Sequence, residues 1–122
     1  METITRESKH FIHACANGDL DFAKELIERY NNIDISVNSE AAFISACKNG
    51  HLHVAQWLYQ IKPELNLTSS DHSAFRYACI KRNLDVAEWL KSLNPNLYSI
   101  CYDDDNTYKC YLIDGLDIYS YY

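Results

Sequence analysis

Three cysteines, Cys15, Cys47 and Cys79, stand 32 residues apart, and thiols at a fixed interval suggest either disulfide formation or metal ligation. If they hold one position in successive stacked helices, they lie about 8–10 Å apart. That is beyond the roughly 7 Å between Cα atoms that a disulfide tolerates, and too far to share one zinc ion. They are expected to be small core residues. Cys101 and Cys110 complete an odd count of five and would pair with each other only in an oxidising setting. His10 and His13 share a helical face, but zinc needs three or four ligands and none follows at helical spacing. His51 and His53 lie about 200° apart around a helix and cannot share a metal. Asp71-His72-Ser73 contains the residue types of a hydrolytic triad, yet a triad is a spatial arrangement that adjacency does not supply. Asp103-Asp104-Asp105-Asn106 reads as a solvated loop rather than a cation site, which needs more fixed ligands. The sequence has no phosphate-cradling glycine loop, nucleophile elbow or pair of catalytic carboxylates. The expectation is a protein that is not an enzyme and has no cofactor and no metal.

The interval that spaces the cysteines also spaces the elements that position them. Phe11, Phe43 and Phe75 recur every 32 residues. In the same register lie Ala14, Ala46 and Ala78; Leu20, Leu52 and Leu84; Ala23, Ala55 and Ala87; and Leu26, Leu58 and Leu90. An apolar scaffold that repeats while the polar positions drift is the mark of a stacked array. Within a copy, Phe43, Ala46, Cys47 and Gly50 lie on one face of a short helix, with Ser39 as its expected N-cap. A turn at Asn49-Gly50 follows, then a second helix from near Leu52 with Val54, Ala55, Leu58 and Ile61 as its apolar stripe. Asp19, His51 and Asn83 stand at the start of the second helices, where Asp and Asn side chains accept from free backbone N–H groups. Pro63 and Pro95 stop those helices. The stretches 34–39 and 66–71 are polar and expected to project as loops. Such short helices are marginal alone and must be held by stacking.

Helix, turn, helix and connector at this period, with Ala46-Cys47-Lys48-Asn49-Gly50-His51-Leu52 leading into the second helix and Leu65-Asn66 after it, resembles the ankyrin repeat. Ala74-Phe75-Arg76-Tyr77-Ala78-Cys79 and Asn83-Leu84-Asp85-Val86-Ala87-Glu88-Trp89-Leu90 are similar in style to the ankyrin-repeat proteins of giant amoeba-infecting viruses. The resemblance implies an all-α solenoid of helix-turn-helix units over 1–102, with copies at about 9–40, 41–72 and 73–102. A tetratricopeptide array is the competing fold, less favoured because its helices are longer. Where the family opens its first helix with Thr-Pro-Leu-His, this chain has Ala41-Ala42-Phe43-Ile44 and Ser73-Ala74-Phe75-Arg76. Burial of phenylalanine must therefore replace a hydrogen-bond network. The copies are one residue shorter than usual, with the gap in the loop, so the connector is expected to be tighter than a full hairpin finger.

An array has two ends to protect from water. Glu25 stands where Trp57 and Trp89 stand later, marking the first copy as the N-terminal cap. Those tryptophans are expected to pack between copies rather than serve an interface. At the other end, 103–122 is acidic and tyrosine-rich. Tyr108–Ile113 and Leu116–Tyr121 flank Asp114-Gly115, a local hairpin signal. Three readings stand: a hairpin lying against the third copy as a cap, a fourth, decayed repeat, or a disordered tail.

The net charge of −6, with basic residues scattered, excludes a nucleic-acid surface. No apolar run approaches the roughly 20 residues that span a bilayer, and the N-terminus lacks the apolar core of a signal peptide. The expected setting is intracellular and cytoplasmic, with no membrane association, and a glycosylation match at Asn66-Leu67-Thr68 carries no weight there. The resemblance implies a monomeric protein-binding module. Its family surface of loops and adjacent first helices carries over here to Lys48, Asn49, Ser69, Ser70, His72, Ile80 and Lys81. The alternative is an accessory or remnant member of an expanded repeat family with no dedicated partner.

Overall fold

The apolar register becomes three helical hairpins in the computed structural model, which describes residues 5–35, 37–103, 107–114 and 117–121. The hairpins are α1 (Arg6–Ala16) with α2 (Leu20–Arg29), α3 (Val37–Lys48) with α4 (Leu52–Ile61), and α5 (Ser69–Ile80) with α6 (Leu84–Leu93). The first helices pack side by side, α1 on α3 and α3 on α5, and each second helix packs on its own first helix. Phe11, Phe43 and Phe75 are all 0% exposed, which bears out phenylalanine as the core residue of each copy. The three aligned cysteines and alanines are buried beside them.

Each first helix ends in the same turn. The N–H of Asp19 donates to the Ala14 carbonyl, His51 to Ala46 and Asn83 to Ala78, at 2.9, 2.9 and 2.7 Å. Gly18, Gly50 and Arg82 each donate in turn to the cysteine carbonyl three residues earlier. This six-to-one and five-to-two pattern needs a left-handed residue between the helices. Gly18, Gly50 and Arg82 have φ of 75°, 79° and 63°. Asp19 caps α2 by accepting from the N–H of Phe22 at 3.1 Å.

Asn83 was expected to cap α6 in the same way, and it does not. Its amide instead donates to the carbonyls of Lys48 at 2.8 Å and Cys47 at 3.3 Å in the preceding copy. The amide reaches the last carbonyls of α3, which have no partner of their own within the helix.

The second helices stop at Ile61 and Leu93, just ahead of Pro63 and Pro95 as expected. The residues that follow them, Tyr30, Lys62 and Asn94, have φ of −120°, −143° and −136°. The chain therefore leaves in an extended direction and needs no glycine there. The connectors are short, and the stretches expected to project are partly helical. α3 begins at Val37, so Ser39 lies inside the helix rather than at its cap, and Ser69, Ser70 and the residues after them are the first turn of α5. Asn66 Oδ1 accepts from both the N–H and the hydroxyl of Thr68, at 3.1 and 2.9 Å. That local turn feeds the chain straight into α5.

Beyond α6 the chain is not a fourth helical hairpin. β1 (Tyr98–Tyr102), β2 (Tyr108–Asp114) and β3 (Asp117–Tyr121) form an antiparallel sheet in the order β1-β2-β3. The expected hairpin is present as β2 and β3, with Asp114 paired to Asp117. Its Gly115 lies outside the described residues, as do Asp104 and Asp105 of the acidic loop. The described residues follow the hairpin reading rather than a fourth, decayed repeat, because period-two alternation of apolar residues wins over the 32-residue register here. Tyr98, Ile100, Cys110 and Leu112 are buried on one face, with Tyr98 opposite Leu112 and Ile100 opposite Cys110. That face lies against the third copy, β1 on α6 and β3 on α5.

The cysteine expectation needs one correction. Cys15 and Cys47 are free and buried, but Cys79 is disulfide-bonded to Cys110, with their Cα atoms 6.3 Å apart. The distance argument holds between stacked helices and fails between a helix and a strand laid over it. Cys101, offered as a partner for Cys110, is exposed and free.

Candidate protein-interaction surface

The seven residues carried over from the family fall into two groups at opposite ends of the first helices. Lys48, Asn49, Ile80 and Lys81 lie at the C-terminal ends of α3 and α5, and Ser69, Ser70 and His72 lie in the first turn of α5. A twelve-residue helix is about 18 Å long, so the structure does not bring the two groups together.

The N-terminal group is engaged within the fold. His72 Nδ1 lies 3.1 Å from the Tyr98 hydroxyl, and its ring meets Tyr98 edge-on at 5.6 Å. Ser70 and His72 have φ of 56° and 61°, a left-handed conformation that costs an ordinary residue about 1–2 kcal/mol. The Ser70 carbonyl accepts from the Ser73 hydroxyl. These contacts tie α5 to the sheet and hold its first turn.

The C-terminal group is more open, with one exception. The Asn49 side-chain amide donates to the Ala16 carbonyl at 2.9 Å. It links the second copy to the first, the same kind of tie that Asn83 makes one copy later. Lys48 Nζ sits 4.7 Å above the centre of the Tyr77 ring, a cation–π contact worth about 0.5–1 kcal/mol at an exposed site. Tyr77 is 38% and Ile80 49% exposed. With Ser73 and Arg76 they line a depression of about 190 Å³ along α5.

Tyr77 and Arg76 belong to this face although sequence reasoning did not select them. The signal was present. The position of Tyr77 is His13 and Ser45 in the other copies, and that of Ile80 is Ala16 and Lys48. An aromatic and an aliphatic residue therefore appear together in one copy at positions that are elsewhere small or polar.

The tryptophans do not contribute to this face. Trp57 meets Phe11 at 6.2 Å and Trp89 meets Phe43 at 6.1 Å. Each therefore packs against the phenylalanine of the copy before it, as expected.

The titratable groups of the core are poised for inertness. Burial pushes the Cys15 thiol up to about 12, and it pushes Cys47 up further, so neither is a thiolate nucleophile near neutrality. Burial pushes the Tyr98 phenol up to about 12. Tyr102, in the exposed part of β1, is raised to about 12 chiefly by the hydrogen bond its hydroxyl donates to Glu88. Among the described residues no cluster of three His, Cys, Asp or Glu side chains is arranged to hold a metal. Among the same residues no helix is long and apolar enough to cross a membrane.

Searches of curated proteins and of solved structures return no match. A family model described as Ankyrin repeats (3 copies) matches residues 11–100, a span that starts at the buried Phe11 and ends within β1. That span takes in the second and third helical hairpins whole and the first from the middle of α1, and the chain belongs to the ankyrin-repeat family.

Proposed function

We propose that this chain is a non-catalytic protein-binding module that meets its partner on the face formed by Lys48, Tyr77, Ile80 and Lys81. Ankyrin repeats are generic protein-interaction modules, and the observation that carries this reading is the exposed Tyr77–Ile80 pair with a lysine stacked on the tyrosine. Aromatic anchors ringed by charge are the composition of binding hot spots. Lys48 and Lys81 around them favour a partner segment carrying carboxylates. Asn49, Ser70 and His72 have polar groups or backbone engaged within the fold, and Ser69, Ser70 and His72 lie at the far end of α5, so the face is built without them. The resemblance of the third copy to repeats of giant amoeba viruses favours a viral or host protein as that partner.

The test is capture of partners by wild type and by the Lys48→Glu/Lys81→Glu variant, with circular dichroism confirming that both fold. Loss of the captured protein from the variant supports the reading. Equal capture by both would place the interface elsewhere.

A further inference from the structure

Along α1, in the first copy, a second depression of about 590 Å³ is lined by Arg6, Lys9, His10, His13, Ala14, Asn17, Asp19 and Phe22. From Arg6 to Asn17 it follows the helix for about 16 Å. Its base is apolar, with Phe22 40% exposed beside the buried Ala14.

The internal repeat shows what shape this face receives. The equivalents of His10, Ala14 and Phe22 are Ala42, Ala46 and Val54 in the second copy and Ala74, Ala78 and Val86 in the third. All six are buried, because α1 lies along α3 and α3 lies along α5. In two of three copies, then, a helix fills the slot that is open on α1.

Charge narrows the occupant. Two permanent cations and two imidazoles converge here in a chain of net charge −6. Among the described residues the ion pairs are Arg29 with Glu25 and Lys62 with Asp34, so neither Arg6 nor Lys9 is paired. Of the lining residues only Asp19 is acidic, and it already accepts from the N–H of Phe22. The occupant is also not another copy of the repeat in series. A following copy covers the preceding phenylalanine with Trp57 or Trp89, and the first copy has Glu25 at that position.

We infer that the groove along α1 is a docking site for an acidic amphipathic helix of a partner protein. Its apolar side seats on Ala14 and Phe22, and its carboxylates meet Arg6 and Lys9. The site is separate from the α3–α5 face and does not depend on it.

The probe is a synthetic helical peptide of about four turns, stapled, with leucines along one side and glutamates elsewhere, titrated into the full-length, ¹⁵N-labelled protein. Amide shifts confined to residues 6–22 are expected. Affinity should fall about tenfold or more in Arg6→Glu/Lys9→Glu and stay unchanged in Lys48→Glu/Lys81→Glu. A scrambled peptide of the same composition should give no shifts. Equal binding by the scrambled peptide, shifts centred on α3 and α5, or no shifts at all would overturn the assignment. Sedimentation of the protein alone is the companion measurement. Concentration-dependent self-association abolished by Arg6→Glu/Lys9→Glu would assign the groove to a second copy and overturn the partner-helix reading.

Discussion

Tyr98 lies face to face on Phe75, with ring centroids 4.1 Å apart and planes 11° from parallel. It closes a ladder in which Trp57 covers Phe11 and Trp89 covers Phe43. The last phenylalanine has no following repeat, and the first residue of the sheet takes the place of the missing tryptophan.

Replacing Tyr98 by alanine should therefore remove a structural ring and lower stability by about 3–5 kcal/mol. Tyr98→Phe keeps the ring and loses the His72 contact, so its cost should be about 1 kcal/mol. Urea unfolding monitored by circular dichroism separates the two. Nearly equal midpoints for Tyr98→Ala and wild type would mean that the sheet does not cap the array. Deletion of 97–122 should lower the melting temperature and expose dye-binding surface for the same reason.

The turn between helices makes a prediction with opposite signs in different copies. A Cβ on Gly18 would lie 2.5 Å from His51 Nδ1, and one on Gly50 would lie 2.7 Å from Asn83 Oδ1. Gly50→Ala should cost more than the roughly 1–2 kcal/mol of left-handed strain alone, because Asn83 must also give up its place over α3. Arg82 holds the same left-handed turn in the third copy. Relief of its strain is partly offset by the entropy glycine adds to the unfolded chain. Arg82→Gly should thus stabilise by up to about 1 kcal/mol, and the pair of variants can be compared by thermal melts.

The Cys79–Cys110 bond ties β2 to α5 across 31 residues of sequence. Constraining a loop of that size restricts the unfolded chain and is worth about 3–4 kcal/mol in the loop-entropy account. Cys110→Ala under non-reducing conditions should lose most of that amount. Excess dithiol should bring wild type close to the variant. A variant as stable as oxidised wild type would show that the bond contributes nothing to capping.

Stability should fall on the alkaline side. Cys15 and Tyr98 both have folded pKa values of about 12, raised by burial from ordinary values of 9.0 and 10.0. A raised folded pKa contributes stability that is complete below the unfolded value and is lost as pH climbs through the folded one. The decline should therefore begin near pH 9 and run to about 12. Tyr98→Phe should make it shallower above pH 10. Denaturant midpoints measured against pH check both the window and the slope.

The helical hairpins were legible because their apolar residues keep one register through three copies, and a helix repeats its buried face whatever the solvent positions hold. The Phe11–Trp57 and Phe43–Trp89 contacts follow from that register as well. What escaped was not periodic. Asn83 looked like a cap because its neighbours in sequence were the only partners in view, whereas its actual acceptors are Cys47 and Lys48, about a full copy away. The Cys79–Cys110 bond was hidden for a related reason, since it joins a helix of the array to a strand outside its register. The proposed face was legible in part. Lys48, Ile80 and Lys81 were selected by family position, but Tyr77 emerges only when its exposure and the cation above it are seen. His72, carried over from the family surface, turns inward to Tyr98 of the sheet, a contact that no register in the sequence indicates.

The most direct measurement places a photo-crosslinking amino acid at Tyr77, and separately at the exposed Gln60 on α4, and exposes each protein to lysate under light. The account predicts that the Tyr77 position forms a covalent adduct with a protein partner and the Gln60 position does not. An adduct at Gln60 with none at Tyr77 would contradict it.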